Sequence, residues 1–96
     1  VVKHVVCFKL KDNSPEKCQE AKEILLSMQG KVPQIRQITV DLDFLHSFRS
    51  YDVMLTVLVE DVTQLEAYQQ DSYHCDTVKP YMHAVRTDSV AIDAIV

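Results

Sequence analysis

Tyr51–Glu60, YDVMLTVLVE, is the most apolar run in the chain, and its reading decides the fold. Its length and its β-branched residues favour a central strand over a helix. Alternation splits it into two faces. One holds Tyr51, Val53, Leu55, Val57 and Val59, and the other holds Asp52, Met54, Thr56, Leu58 and Glu60. Even the more polar face carries Met54 and Leu58, so both sides of the strand are expected to be covered.

Working outward, Ile35–Leu42 (IRQITVDL) alternates in the same way and reads as the preceding strand. The loop between them, Asp43–Ser50, holds His46, which reads as surface. Val1–Lys11 (VVKHVVCFKLK) alternates as well, with Val2, His4, Val6, Phe8 and Leu10 on one face. It reads as a first strand and not as a secretory signal. Ala84–Val96 alternates as a last strand.

Two helices separate these strands. Ser14 can cap the first, Pro15 suits its first turn, and Cys18, Ala21, Leu25 and Met28 form an apolar stripe. Gly30 is expected to end it with positive φ. Asp61, with Gln64 three residues on, starts the second helix, with Val62, Leu65 and Tyr68 or Gln69 inward. It runs to about Asp71. Ser72 and Tyr73 are expected to break it before a short helix to about His83. Pro80 should limit or kink that helix.

The order is β-α-β-β-α-β with one extra short helix. That is the α+β, ferredoxin-like pattern with an antiparallel four-stranded sheet. Residues 1–96 suffice for a single domain. Two helices cover only one sheet face, so the other is expected to meet a second copy of the chain. Each Å² of apolar area so buried contributes roughly 25 cal/mol before the cost of association.

Composition excludes several functions. The net charge is −4 and the ten basic residues are scattered, which argues against nucleic acid or an anionic membrane as partner. No apolar run is long enough to cross a bilayer. Gly30 is the sole glycine, so no glycine-rich phosphate cradle can be written. Three cysteines without CxxC spacing suit free thiols and a reducing, cytoplasmic setting. Asp71, His74, Asp76 and His83 are metal-ligand types, but their spacing matches no zinc pattern, and no metal is expected.

Protonatable groups gather in Asp61–His83, where Tyr68, Tyr73, Tyr81, His74 and His83 lie. Tyr68 and His74, six residues apart across a helix end, can meet as an acid/base pair. Asp71 and Asp76 flank His74 and could orient its ring or cap a helix. His4, on an apolar strand face, is either a hydrogen-bonded core residue or a third member of that group. Val6, Phe8, Leu25, Val40 and Tyr81 would wall the pocket.

The pieces VKHVVCFKLK, Val32-Pro33, SYDVMLTVLVED, LEAYQQDSYH and SVAIDAIV, in this order, resemble the stress-responsive A/B barrel domain (Dabb) family over the whole chain. The set includes lysine-histidine on the first strand, tyrosine followed six residues later by histidine, and aspartate near the end of the last strand. The resemblance implies a dimeric α+β barrel. It also implies a likeness to a plant polyketide cyclase of this fold that needs no cofactor. The positions matching its tyrosine and its two histidines are Tyr68, His74 and His4. Its further histidine falls at Val53 here, and its first-helix tyrosine near Leu25 or Leu26. Both differences bear on whether the same cyclisation occurs.

Two functions follow as expectations. One is a homodimer whose pocket takes a small apolar, carbonyl-containing ligand for cofactor-independent, cyclase-like acid/base chemistry. The other is a non-enzymatic stress-response or structural dimer. A haem- or flavin-dependent oxygenase has no supporting residues.

Overall fold

A computed structural model describes all of Val1–Val96. The elements run β1 (Val2–Leu10), α1 (Pro15–Leu26), β2 (Gln37–Leu42), β3 (Val53–Val59), α2 (Val62–Gln70), a π-helical turn (His74–Val78), α3 (Lys79–Val85) and β4 (Arg86–Ile95). The sheet is antiparallel with strand order β2-β3-β1-β4. This is the ferredoxin-like α+β arrangement.

The core lies between the sheet and the helices. Val53, Leu55, Val57 and Val59 of β3 are buried there, beside Ile38 and Val40 of β2 and Val2, Phe8 and Leu10 of β1. From α1 come Cys18, Ala21 and Leu25, followed by Met28 and Val32 in the next turns. Ser14 caps α1 by accepting from the Lys17 amide, and Pro15 occupies its first turn. Gly30 has φ +82°, as expected, but it lies past the helix C-cap at Ser27, inside the following turn.

The opposite face is open. Met54, Thr56 and Leu58 of β3 lie on it with Val5 and Cys7 of β1 and Val90, Ile92 and Ala94 of β4. Ile92 is 70% exposed and Val90 49%, the reverse of what a finished apolar face shows.

Alternation fails at Asp52, which departs from the face expected for it. It is buried instead of sharing the side of Met54. Its Oδ2 accepts from the Leu10 amide at 2.8 Å and its Oδ1 from Asn13 Nδ2 at 3.2 Å. Its own amide donates to the Phe8 carbonyl. The carboxylate thus ties the end of β1 to the start of β3, and Tyr51 turns outward to Lys9 and Asp88. Asp52→Ala leaves the Leu10 amide unpaired, at a cost of about 2 kcal/mol. A urea titration should show a lower midpoint at unchanged slope.

Three further local expectations are corrected. Val62 is 55% exposed and Gln69 is also exposed, leaving Tyr68 as the buried residue of α2. Ser72 and Tyr73 are helical; the break is at Asp71 alone, and the helix beyond it runs on to Val85. Pro80 therefore does not end it. Proline offers no amide and crowds the carbonyl four residues back. The wider turn just before it, in which the Lys79 amide reaches the His74 carbonyl, accommodates that defect. Last, Ala84 and Val85 belong to this helix, so β4 starts at Arg86.

Candidate functional site

Strand pairing sets the first side of the site. His4 stands between Val57 of β3 and Asp93 of β4, all on the helix-facing side. Asp93 Oδ1 accepts a hydrogen bond from His4 Nδ1. A carboxylate only accepts, so the proton sits on Nδ1 and Nε2 is left free. His4 is 7% exposed, whereas the Asp93 side chain is 42% exposed.

Helix α2 sets the second side. Tyr68 is fully buried near its end. Its ring meets His4 edge-on at 5.6 Å between centroids and stacks on His74 at 4.6 Å, with an 18° angle between planes. The Asp71 break makes this stack possible by turning the chain so that His74 returns over Tyr68. Asp71 caps the next helix, accepting from the amides of Tyr73 (2.9 Å) and His74 (3.4 Å). It does not orient the His74 ring, and neither does the exposed Asp76. His74 Nδ1 is buried without a hydrogen-bond partner.

The expected proton sharing between Tyr68 and His74 is not present. They touch through ring faces, and the Tyr68 hydroxyl donates to the Met28 thioether at 3.9 Å. Burial pushes the Tyr68 phenol well above the usual tyrosine range, so the group is held as a neutral donor. The His74 imidazole is pushed down, first by burial and then by the Lys79 charge, against an opposing pull from the Gln69 and Tyr68 carbonyls.

Those directions have a measurable consequence. His74 should titrate below the ordinary histidine value of about 6.5 in a proton NMR titration. The unfolded chain then binds the proton more readily than the folded one. Stability should therefore fall as pH drops from about 6.5 through the folded value, and His74→Gln should flatten that segment of the curve.

The three rings open on a cavity of about 390 Å³. That lies within the common range for small-molecule sites. Val6, Phe8, Leu25, Leu55, Val78 and Met82 wall it, and Gln69, Lys79, His83, Arg86 and Ser89 stand around it. The structure thus brings together His4, Tyr68, His74, Val6, Phe8 and Leu25. Two residues expected in the wall lie elsewhere. Val40 is on β2, which the strand order separates from β1 by the whole of β3. Tyr81 turns toward α1, where its hydroxyl donates to Glu20 Oε1 at 2.6 Å. Burial and this acidic partner push its pKa up to about 12.

Sequence reading missed Asp93 as the partner of His4. The two alternation patterns hold the signal, because both residues fall on helix-facing positions of strands that a ferredoxin-like order makes neighbours. No three His, Cys, Asp or Glu side chains converge as a metal site would require.

The whole chain is similar in structure to several solved proteins. An Arabidopsis thaliana protein, At3g17210, is 18% identical with a TM-score of 0.84, over 100% of this chain and 95% of that one. A dimeric ferredoxin-like protein of unknown function from Bacteroides fragilis is 21% identical with a TM-score of 0.82, covering 99% and 95%. The hydroxynitrile lyase of Passiflora edulis is 12% identical with a TM-score of 0.77, covering 99% and 92%. These likenesses establish the fold. No curated protein matches in sequence. The family model for the stress responsive A/B barrel domain matches residues 2–96. The chain belongs to the stress responsive A/B barrel domain family.

Proposed function

We propose that the cavity binds a small, largely apolar molecule bearing a carbonyl group, and that the ring stack carries out cofactor-independent proton transfer on it. The stack His4–Tyr68–His74 beside an apolar cavity, with His4 held by Asp93, is the observation that carries this reading. His74, kept neutral near pH 7, is the base. Tyr68, kept protonated, is the acid or the donor to a developing oxyanion. Its hydroxyl has only a thioether to give up, and thioethers are weak acceptors. His4 supplies a second imidazole, whose free nitrogen is set by Asp93.

A second reading is binding without turnover, in a stress-response or structural dimer. The Tyr68 hydroxyl facing Met28 favours it, because no proton path links Tyr68 to either histidine. Hydrogen–deuterium exchange at the carbon between the carbonyls of ethyl benzoylacetate separates the two. Proton transfer predicts acceleration by the protein, reduced roughly a hundredfold in His74→Ala. Binding without acceleration supports the second reading, and no binding removes the pocket from both.

We also infer a homodimer formed through the open sheet face. Its exposed apolar side chains support this, and the Bacteroides protein of the same fold is dimeric. The free thiols Cys7, Cys18 and Cys75 support a reducing, cytoplasmic setting. No helix is long and apolar enough to cross a membrane.

A further inference from the structure

We propose that the molecule taken by this pocket carries a terminal carboxylate, which Lys79 and Arg86 hold at the mouth while the apolar body reaches the three rings. The inference rests on the pocket reading above and names the chemical class of its ligand.

Charge at the mouth has one sign. Lys79, His83 and Arg86 line the cavity, and no aspartate or glutamate does. The chain as a whole has 14 acidic residues against ten basic ones, so chance composition favours the opposite. Spacings of four and seven residues put the three side chains along one side of α3 and its exit. Buried Val78 and Met82 lie beside them, joining a cationic rim to an apolar wall.

Lys79 and Arg86 have no acidic partner. The ion pairs of the molecule join Lys17 to Glu20 and Arg36 to Glu60, while Asp93 and Asp43 are taken by the His4 and His46 rings. Lys79 Nζ has only a long contact, 3.4 Å, to the Gln69 carbonyl. Arg86 is half-buried and makes no side-chain hydrogen bond or ion pair within the chain. A partly desolvated guanidinium beside an apolar wall is completed by an anionic oxygen pair, which its fork binds in two-point fashion.

A carboxylate fits better than a phosphate. Phosphate sites draw on free backbone amides, often at glycines. Gly30 does not line the cavity, and the amides of Tyr73 and His74, at the helix start nearest the rings, already donate to Asp71.

Three matched probes test the proposal: 4-phenylbutanoate, its primary amide, and 3-phenylpropylphosphonate. Each is titrated at low salt into the intact protein while NMR follows the ring protons of His4 and His74. The carboxylate should bind roughly tenfold more tightly than the amide, with the phosphonate no tighter than the carboxylate. In Lys79→Gln/Arg86→Gln the preference for the acid should vanish while the amide binds as before, which also shows that the variant is folded. Equal affinity for acid and amide, or a preference that survives the double variant, overturns the anionic head and leaves the pocket reading standing. A phosphonate that binds much more tightly overturns the carboxylate assignment. Failure of all three probes to move either histidine overturns the pocket reading and this inference with it.

Discussion

Tyr68→Ala should destabilise the protein by about 3–5 kcal/mol, whereas Tyr68→Phe should change stability by less than about 1 kcal/mol. The first substitution deletes a fully buried ring that packs against His4 on one side and His74 on the other. The cavity it leaves would lie at the junction of sheet and helices, where the strands cannot collapse inward. Lost edge-on and stacked contacts add to the transfer term. Phenylalanine keeps the ring and removes only a hydroxyl whose single partner is a thioether. The two variants therefore separate packing from chemistry. Denaturant unfolding reads the packing. Exchange of the ethyl benzoylacetate probe reads the chemistry, and Tyr68→Phe should slow it on the order of a hundredfold if the phenol stabilises the oxyanion. Unchanged exchange in a stable Tyr68→Phe would remove Tyr68 from the mechanism and leave it as the structural centre of the ring stack.

The contrast within Tyr68 shows what could be read from the sequence. Its burial follows from its place on the inward side of α2, and that is legible at helical spacing. The direction of its hydroxyl depends on Met28, forty residues earlier, and no local pattern encodes it. The strands were legible because apolar residues alternate through Val1–Lys11 and Tyr51–Glu60. Their lateral order was legible only through the fold pattern, and naming Val40 as a wall residue overlooked that β3 separates β2 from β1 in that pattern. Asp52 shows the complementary limit. Period-two reading put it on the side of Met54, but a carboxylate that can satisfy the Leu10 amide turns to the buried side despite the pattern. The π-helical turn before Pro80 is of the same kind. Sequence shows that proline must disturb the helix, but it leaves open whether the helix ends or widens.

The other large effect belongs to the face away from this site. Ile92→Glu should convert the proposed homodimer to a monomer at micromolar concentration, with a change of about 3 kcal/mol or more, roughly a hundredfold in dissociation constant. Met54, Leu58, Val90 and Ile92 project from three-dimensionally adjacent strands, because β1 joins β3 to β4. In an isolated chain this strip faces water, and Ile92 is its most exposed member at 70%. Pairing two such faces removes apolar surface from water with no change to the helix side. A glutamate at position 92 would have to lose its hydration without a designated cation, and the nearby lysines on this face, Lys3 and Lys9, lie on β1 rather than directly beside it on β4. Ile92→Val, which keeps shape and polarity, should leave the dimer intact. Light scattering distinguishes the outcomes, since the monomer mass is 11.0 kDa and the dimer is twice that. The cavity lies on the opposite side of the sheet, so a folded Ile92→Glu monomer should still shift the His4 and His74 signals on adding 4-phenylbutanoate. A wild-type chain that scatters as a monomer would show that the open face is left uncovered, and the sheet-to-sheet assembly would fall on that single measurement.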